Sequence, residues 1–470
     1  MSALGGGAGV DADASGALAE PAAGARDASF ALRFGWLAAM GAVFFSTYGF
    51  ANWLAARRAA VPTFAFGWEH AIPFVPWTIV PYWSIDLLYA LSFFFWTRRD
   101  DLLDHVKRLL TVQLVSVACF IAWPLRFGFE RPDAGGVAGA LFTLLMGFDK
   151  PFNQAPSLHI GLLVVLWAVY AKHLRGTFAR VVLHPWFAAI GVSVLTTYQH
   201  HAIDVPTGAA VGCLALFLFP LRDAAGRLPG ADASPSAAGR ALARRYAFGA
   251  ALAALACVPR APGWALAAGW VALALACVAW AYRCGAPGAF QKDADGRFPV
   301  FVGWLLAPTI AGAFVNSRLW TFRQPAPVRI DERVSIGRTP TTREIRRHGF
   351  TALVDLTAEM PRWAAADASL AYACVPQLDL VAPTAAQLAQ AVAALERLHG
   401  DGRDVLVCCA LGYGRSVLCA AAWLAVRRGL TDARDALAAV RAVRPCAVWS
   451  DESVAVLQQW IDRRRDAEPV

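Results

Sequence analysis

Val405-Leu-Val-Cys-Cys-Ala-Leu-Gly-Tyr-Gly-Arg-Ser-Val-Leu-Cys419 decides how the C-terminal part of this 470-residue chain folds. The apolar run Val405 to Val407 reads as a buried strand that ends at Cys408-Cys409. A short loop with Gly412 and Gly414 follows, and Arg415-Ser416 opens an Ala/Leu-rich helical pattern. A thiol therefore sits at a strand end, with an arginine six positions later and a helix N-terminus pointing back at both. Loop N–H groups and the helix dipole favour a bound anion there. The same field favours a thiolate at Cys409. A thiolate nucleophile, a phosphate cradle and a fork-shaped guanidinium are the parts needed to attack phosphorus. The competing account is a Gly-rich strand–helix turn with two buried cysteines. It leaves the joint placement of nucleophile, glycines, arginine and helix start unexplained.

Composition places this loop in an unusual setting. Hydrophobic residues make up 57% of the chain and charged residues only 16%, which excludes an ordinary soluble enzyme and implies several membrane spans. The length suggests two or three domains. Residues 1–29 are rich in Ala, Gly and Asp without an apolar core, and are expected to be disordered. Spans of roughly 20 residues are expected at 33–55, 73–96, 109–127, 159–173, 181–199 and 204–221. A linker is expected over 222–245, and further membrane helices over 246–318, with spans near 246–259 and 263–282. The stretch 298–317 is long enough to cross, but with Pro308 and several glycines it fits an interfacial segment equally well.

The net charge is +9. Most of the bases fall in short loops: Arg98, Arg99, Lys107 and Arg108, then Lys172, Arg175 and Arg180, then the run from Arg222 to Arg245. All three groups fall on one side, which the positive-inside rule makes cytoplasmic, with the N-terminus beside it; Arg57 and Arg58 break the pattern. The excess charge thus reflects topology, and no nucleic-acid partner is expected. The ten cysteines are scattered without metal-type spacing, so neither a disulfide framework nor a metal site is expected. From about residue 319 short strands and helices alternate, as in a small α/β domain. Leu353–Leu356, Tyr372–Val375 and Val405–Val407 are its strand candidates. Thr384 caps a helix to Leu398 with Gln387 completing a capping box, and helices are expected over 416–429, 431–442 and 451–464.

Polar groups at membrane ends are costly and call for a functional account. Three clusters fall in loops on the outer side: Arg126 to Pro132, Pro156-Ser157-Leu158-His159, and His200-His201-Ala-Ile-Asp204. Two histidines can act as nucleophile and general acid, and an aspartate can hold one imidazole in its tautomer. Singly, each histidine is better explained as a solvated interfacial residue; it is their joint placement that suggests a site.

These clusters resemble the motifs of the type-2 phosphatidic acid phosphatase superfamily, especially its inositolphosphotransferase-like branch. That family shows Arg-Pro, Pro-Ser-x-His and His-x-x-x-Asp in order across a six-helix membrane core, here residues 30–221. The resemblance implies His200 as the nucleophile that forms a phosphohistidine, Asp204 as its orienting carboxylate and His159 as general acid. Arg131 and Ser157 would hold phosphate oxygens, with Arg126 as a helper. The chain departs from the family at Pro124, where a Lys is usual, and at Val194, where an Arg is usual. This leaves hydrolysis and transfer both open.

Residues 319–470 resemble a dual-specificity phosphatase of the cysteine-dependent tyrosine phosphatase superfamily. Cys409-x5-Arg415-Ser416 matches the signature loop, with Cys408 where the family has His. That vicinal thiol offers a way to trap an oxidised Cys409. The resemblance implies Asp379, in Val375-Pro-Gln-Leu-Asp379, as general acid, and Ser416 as an aid to breakdown of a phosphocysteine. Asp355 is the rival acid, but its strand-like setting suggests a structural role. Gly412 and Gly414 would bind substrate through their backbone. The expectation is a multi-spanning all-α membrane domain followed by a soluble α/β domain. It would be a bifunctional phosphatase of a bacterial inner or plasma membrane, with the α/β domain in the cytoplasm, no cofactor, and a phospholipid or phosphoprotein substrate. The alternatives are a lipid phosphotransferase with a lipid phosphatase attached, and a membrane scaffold with decayed sites.

Overall fold

The computed structural model describes residues 27–221, 236–258, 262–365 and 369–467. Most of the N-terminal stretch expected to be disordered, and 222–235 of the expected linker, lie outside them. The helical half contains α1 (Phe30–Ala56), α2 (Ile79–Ser92), α3 (Arg99–Ala122), α4 (Gly136–Phe148), α5 (Leu158–His173), α6 (Thr177–Thr196) and α7 (Asp204–Leu218). It continues with α8 (Ala237–Leu255), α9 (Pro262–Cys284), α10 (Val300–Leu305) and α11 (Ala307–Trp320). Among the described residues five helical segments are long and apolar enough to cross a membrane: 30–56, 76–95, 99–122, 179–196 and 263–284. Helices α4, α5 and α7 are apolar but shorter.

Three details differ from the expected pattern. Helix α3 begins at Arg99, so Lys107 and Arg108 lie on a helix rather than in a loop. Asp100 and Asp101 in its first turn suit the positive helix end, and Lys107 pairs with Asp104 at 2.9 Å, so the polar run can stay helical. Helix α8 begins at Ala237, inside the stretch expected as linker, where Ser236 caps it. Helix α4 has no counterpart among the expected spans; at 13 residues it is too short to give a span signal.

The glycines of α5 and α7 decide how closely those two helices pack. A Cβ on Gly208 would lie 2.4 Å from Ser157 O, and one on Gly212 would lie 2.6 Å from Gly161 O. Only glycine permits this approach, as in small-xxx-small membrane crossings. It sets Ser157 and His159 on α5 against Asp204 on α7, and the Ser157 N–H donates to Asp204 O at 3.2 Å.

The α/β half adds β1 (Val328–Asp331), β2 (Val334–Arg338), α12 (Thr342–His348), β3 (Ala352–Thr357), β4 (Ala371–Gln377), α13 (Ala385–Gly400), β5 (Val405–Cys409), α14 (Arg415–Arg428), α15 (Ala433–Val443) and α16 (Asp451–Ala467). The sheet order is β1-β2-β5-β3-β4, parallel except for the β1–β2 pair. The strand that ends in Cys409 is therefore central, and α13, α14 and α16 cover one face of it in a core around Trp423. The capping box at Thr384 and Gln387 forms as the sequence predicts.

The segment of unsettled course, 298–317, breaks at Leu306 into α10 and α11. Before it, Lys292 bonds Asp355 and Thr357, and Gly296 O accepts from the Arg362 N–H. After it, Arg318 donates to Thr339 O, and Trp320 O accepts from the Tyr413 hydroxyl. Both ends of the segment are thus held by the α/β domain. The carbonyls of Trp304 and Leu305, at the end of α10, accept from the Trp270 indole of α9 at 3.0 and 3.1 Å. This satisfies a helix end among apolar neighbours.

The two halves meet at a buried ion pair. Lys292 Nζ lies 2.7 Å from Asp355 Oδ2, and both side chains are buried. Asp355 also accepts from Tyr372, from the Thr357 hydroxyl and from the Thr357 N–H. Burial alone would raise its pKa, but the Lys292 charge and these hydrogen bonds outweigh burial and hold it below the usual carboxylate value. Lys292→Met leaves a buried carboxylate uncompensated. It is expected to destabilise the docked α/β domain by about 3–5 kcal/mol, seen as a lower thermal unfolding midpoint of the full chain in detergent. Because the folded pKa of Asp355 is depressed, its contribution is present above its ordinary value of 3.8 and is lost as pH falls through the lower folded value. Asp355→Asn is expected to remove that acid limb from a stability–pH profile.

Candidate active site

At the end of β5 the chain turns tightly over β2. Gly412 has φ +74°, and a Cβ there would lie 2.3 Å from the carbonyl carbon of Gly337. Glycine is thus required twice, for its conformation and for space. The turn aims the Gly412 N–H at Cys409 Sγ at 3.2 Å, and Ser416 Oγ lies 3.5 Å from the same sulfur. Buried Arg444 braces the turn from behind, with Nε donating to Gly412 O at 2.8 Å. Gly414 carries no such constraint, since a Cβ there would sit 3.7 Å from Val448 O.

Arg415 opens α14 and is buried. Its two terminal nitrogens grip both oxygens of Glu359, at 2.9 and 2.7 Å, in a fork-to-fork pair. Nη2 also lies 2.9 Å from Asp379 Oδ1, and Nη1 donates to Gln377 O at 2.8 Å. Burial opposes the charge on Arg415, but Asp379 and Glu359 outweigh burial and hold its pKa well above the ordinary arginine value. Asp379 itself sits in a loop that the helical half supports, where Tyr282 of α9 donates its hydroxyl to Asp379 O at 3.2 Å. Cys409, Arg415, Asp379, Ser416, Gly412 and Gly414 all gather at this one place.

Residues 336–463 match the family profile described as dual specificity phosphatase, catalytic domain. Residues 336–463 are a dual-specificity phosphatase domain. Among solved structures, the active form of Tk-PTP is 33% identical, covers 30% of this chain and 99% of its own, and has a TM-score of 0.26. Human DUSP28 is 26% identical, covers 30% and 96%, and has a TM-score of 0.27. PTPMT1 in complex with PI(5)P is 20% identical, covers 30% and 97%, and has a TM-score of 0.27. No curated protein matches the chain.

Two features of the phosphatase domain lie outside the sequence expectations. Glu359 is one: the rival acid in the sequence is Asp355, within β3, whereas Glu359, four residues on and past the strand end, meets Arg415. The other is Cys408. Strand alternation sends Cys409 to the face covered by α13 and α14, and Cys408 to the opposite face beside Leu353 and Ile345. The two thiols therefore point apart, and the expected trap for an oxidised Cys409 does not form. Burial, then the charge of Asp355, pushes the Cys408 pKa well above the ordinary thiol value. Asp355 is fully engaged with Lys292, Tyr372 and Thr357 on that same side.

The membrane cluster assembles at the N-terminal end of α7. His200 Nδ1 lies 3.1 Å from Asp204 Oδ2, which also accepts from the His201 N–H at 2.9 Å. His159 stacks on Tyr82 with ring centroids 4.2 Å apart, and its buried Nε2 has no hydrogen-bond partner among the described residues. Arg131 donates to the carbonyls of Thr197 and Tyr198, just before His200. Ser157 caps α5, its hydroxyl accepting from the Ile160 N–H. Arg126 is not drawn in: its side chain is exposed, and its backbone N–H donates to Pro62 O. His201 is held by buried Glu69 at 2.9 Å and is structural. Asp149, missed in the sequence, interacts electrostatically with His200 and Arg131 and accepts from the Tyr48 hydroxyl at 2.6 Å.

The steric contrast between the two loop glycines gives a direct check. Gly412→Ala is expected to displace the loop and lower phosphatase turnover by at least about tenfold, given the typical cost of strained backbone. Gly414→Ala is expected to stay within about threefold of the parent, as ordinary packing contacts allow. Steady-state rates on an aryl phosphate compare the two.

Proposed function

We propose that the chain is a membrane-bound bifunctional phosphatase. The observation that carries this is the convergence of the Cys409 sulfur, the Gly412 N–H, the Ser416 hydroxyl and the Glu359-anchored Arg415 in one cleft. In that cleft Cys409 Sγ attacks the phosphorus of a phosphomonoester. Loop N–H groups and Arg415 hold the equatorial oxygens, and Glu359 keeps the guanidinium in plane behind them. Asp379 gives its proton to the departing alkoxide or phenoxide oxygen as the P–O bond breaks and the S–P bond forms. Water then attacks the phosphocysteine, Asp379 takes its proton, and Ser416 stabilises the leaving thiolate. The product is inorganic phosphate. The chemistry is largely positioning and electrostatics.

The second site belongs to the helical half, in the arrangement of the phosphatidic acid phosphatase superfamily. Here His200, oriented through Nδ1 by Asp204, attacks a lipid phosphate and forms a phosphohistidine. His159 protonates the leaving alcohol, and Arg131 and Ser157 face the phosphate. The two sites lie at opposite ends of α7. Asp204 starts that helix, while the Leu216 and Phe217 carbonyls near its end accept from Gln291, next to Lys292. Twelve residues of helix rise about 18 Å, so the two sites stand apart along α7. The α/β domain shares its face with Arg108, which binds the Phe219 and Pro220 carbonyls. By the positive-inside rule that face is cytoplasmic.

A lipid phosphotransferase is the second reading, favoured by Arg126 standing outside the cluster, which leaves Arg131 as the cation beside His200. Cys409→Ser in the full chain is expected to abolish aryl phosphate turnover, and Asp379→Asn to lower kcat by about 10²–10⁴-fold. His200→Ala is expected to leave that activity intact and to stop turnover of lipid phosphate at the other face. Full aryl phosphatase activity in Cys409→Ser contradicts the thiolate assignment.

A further inference from the structure

The end of α11 adjoins the Cys409 cleft, because Trp320 O accepts from the hydroxyl of Tyr413, a residue that lines it. The inner face of α11 grips the phosphatase domain. Phe314 packs on Trp363 with centroids 4.7 Å apart, and Arg318 bonds Thr339 O. The outer face is bare. Ala311, Val315 and Leu319 follow one another at four-residue spacing, so they lie on one side of the helix. Val315 is 53% exposed and Leu319 70%, and Phe322, just past the helix end, is 81% exposed. Exposed Arg323 follows. An apolar helix face ending in aromatic residues and an arginine is the composition of a segment that lies in a bilayer surface.

What covers this face is indicated by what it continues. Helix α10 packs on α7 and α9, in a cluster with Val278 and Phe217, and α9 is one of the helices fit to cross a membrane. The stripe on α11 extends from that bundle at the end where the phosphatase domain sits.

The cleft itself gives an independent indication. Around Cys409 its walls are largely apolar, with Leu380, Val381, Leu411, Val448 and Trp449, and they also carry the hydroxyls of Tyr413, Ser450 and Ser453. Leu380 is 70% exposed and Val448 56%. Among the described residues, Asp379 and Arg415 are the only charged side chains that line it. A polar well with largely apolar walls suits a phosphate attached to an amphiphile.

We propose that the outer face of α11, with Phe322, lies in the bilayer surface and presents the Cys409 cleft to the phosphomonoester headgroup of a lipid in the adjoining leaflet. This rests on the thiolate reading of the cleft and names its substrate class.

The test uses the full chain carrying His200→Ala, so that lipid turnover can come only from Cys409. It is reconstituted in phosphatidylcholine nanodiscs, whose two faces are both accessible. The substrates are phosphatidic acid or a phosphatidylinositol monophosphate in the disc, a soluble aryl phosphate, and a phosphotyrosine peptide. Leu319→Ser with Phe322→Ser is expected to lower lipid turnover about tenfold or more, since each buried Leu or Phe contributes at least about an order of magnitude to partitioning. Aryl phosphate turnover should stay within about twofold, because neither side chain lines the cleft. Leu319→Phe with Phe322→Trp should keep lipid turnover at the parent level. A parallel fall on both substrates, unchanged lipid turnover, or faster turnover of the peptide than of either lipid overturns the proposal. Absence of aryl phosphate turnover in the parent chain overturns the thiolate reading itself, a separate failure from loss of the lipid preference.

Discussion

The buried pair of Lys292 and Asp355 is the constraint on which the arrangement of this molecule depends. Two charges removed from water are tolerated only when each is fully matched, and here they are. Lys292 spends its donors on the Asp355 carboxylate and on the carbonyl and hydroxyl of Thr357. Asp355 stands beside Cys408 in the ladder that joins β3 to β5, directly under the strand that ends in Cys409. A lysine from the helical half therefore supports the sheet that carries the nucleophile. Next to it, Gln291 ties the same loop to the end of α7, and Tyr282 of α9 holds the backbone of Asp379. The Cys409 cleft is thus built on the helices rather than joined to them by a free tether.

The same helix, α7, organises the second site. Its glycines let α5 approach closely enough to bring the His159 helix against Asp204. A mechanism for each site can be written from its own residues. In the proposed reading they are linked by placement: the His200 cluster lies at the start of α7, and the loop that supports the α/β domain is tied to its end.

What could be read from the sequence follows from distance along the chain. Cys409, Gly412, Gly414, Arg415 and Ser416 lie within eight consecutive residues, and strand, turn and helix start are local features, so the loop could be read directly. The partner of Arg415 could not. Glu359 is 56 positions away, and Asp355 is an acid of the same type four residues before it. Lys292 looks like an ordinary loop lysine until folding buries it. Helix α4 is too short to register as a span, and the course of α10 and α11 depends on contacts at both ends of the segment rather than on its composition. Gly208 and Gly212 read as unremarkable small residues until the packing of α5 shows why no side chain fits. The family match covers the phosphatase domain. The helical half rests on its own geometry and on the order of its motifs.

The most direct measurement is to trap the intermediate. The full chain in detergent is mixed with an aryl phosphate, quenched in acid within one turnover, digested, and examined by mass spectrometry. One phosphoryl group on the peptide that contains Cys409, absent from Cys409→Ser and accumulating when Asp379→Asn slows the following step, is the expected result. Turnover with no phosphoryl group on that peptide, or with the group on another residue of the α/β domain, would contradict a thiolate mechanism at Cys409.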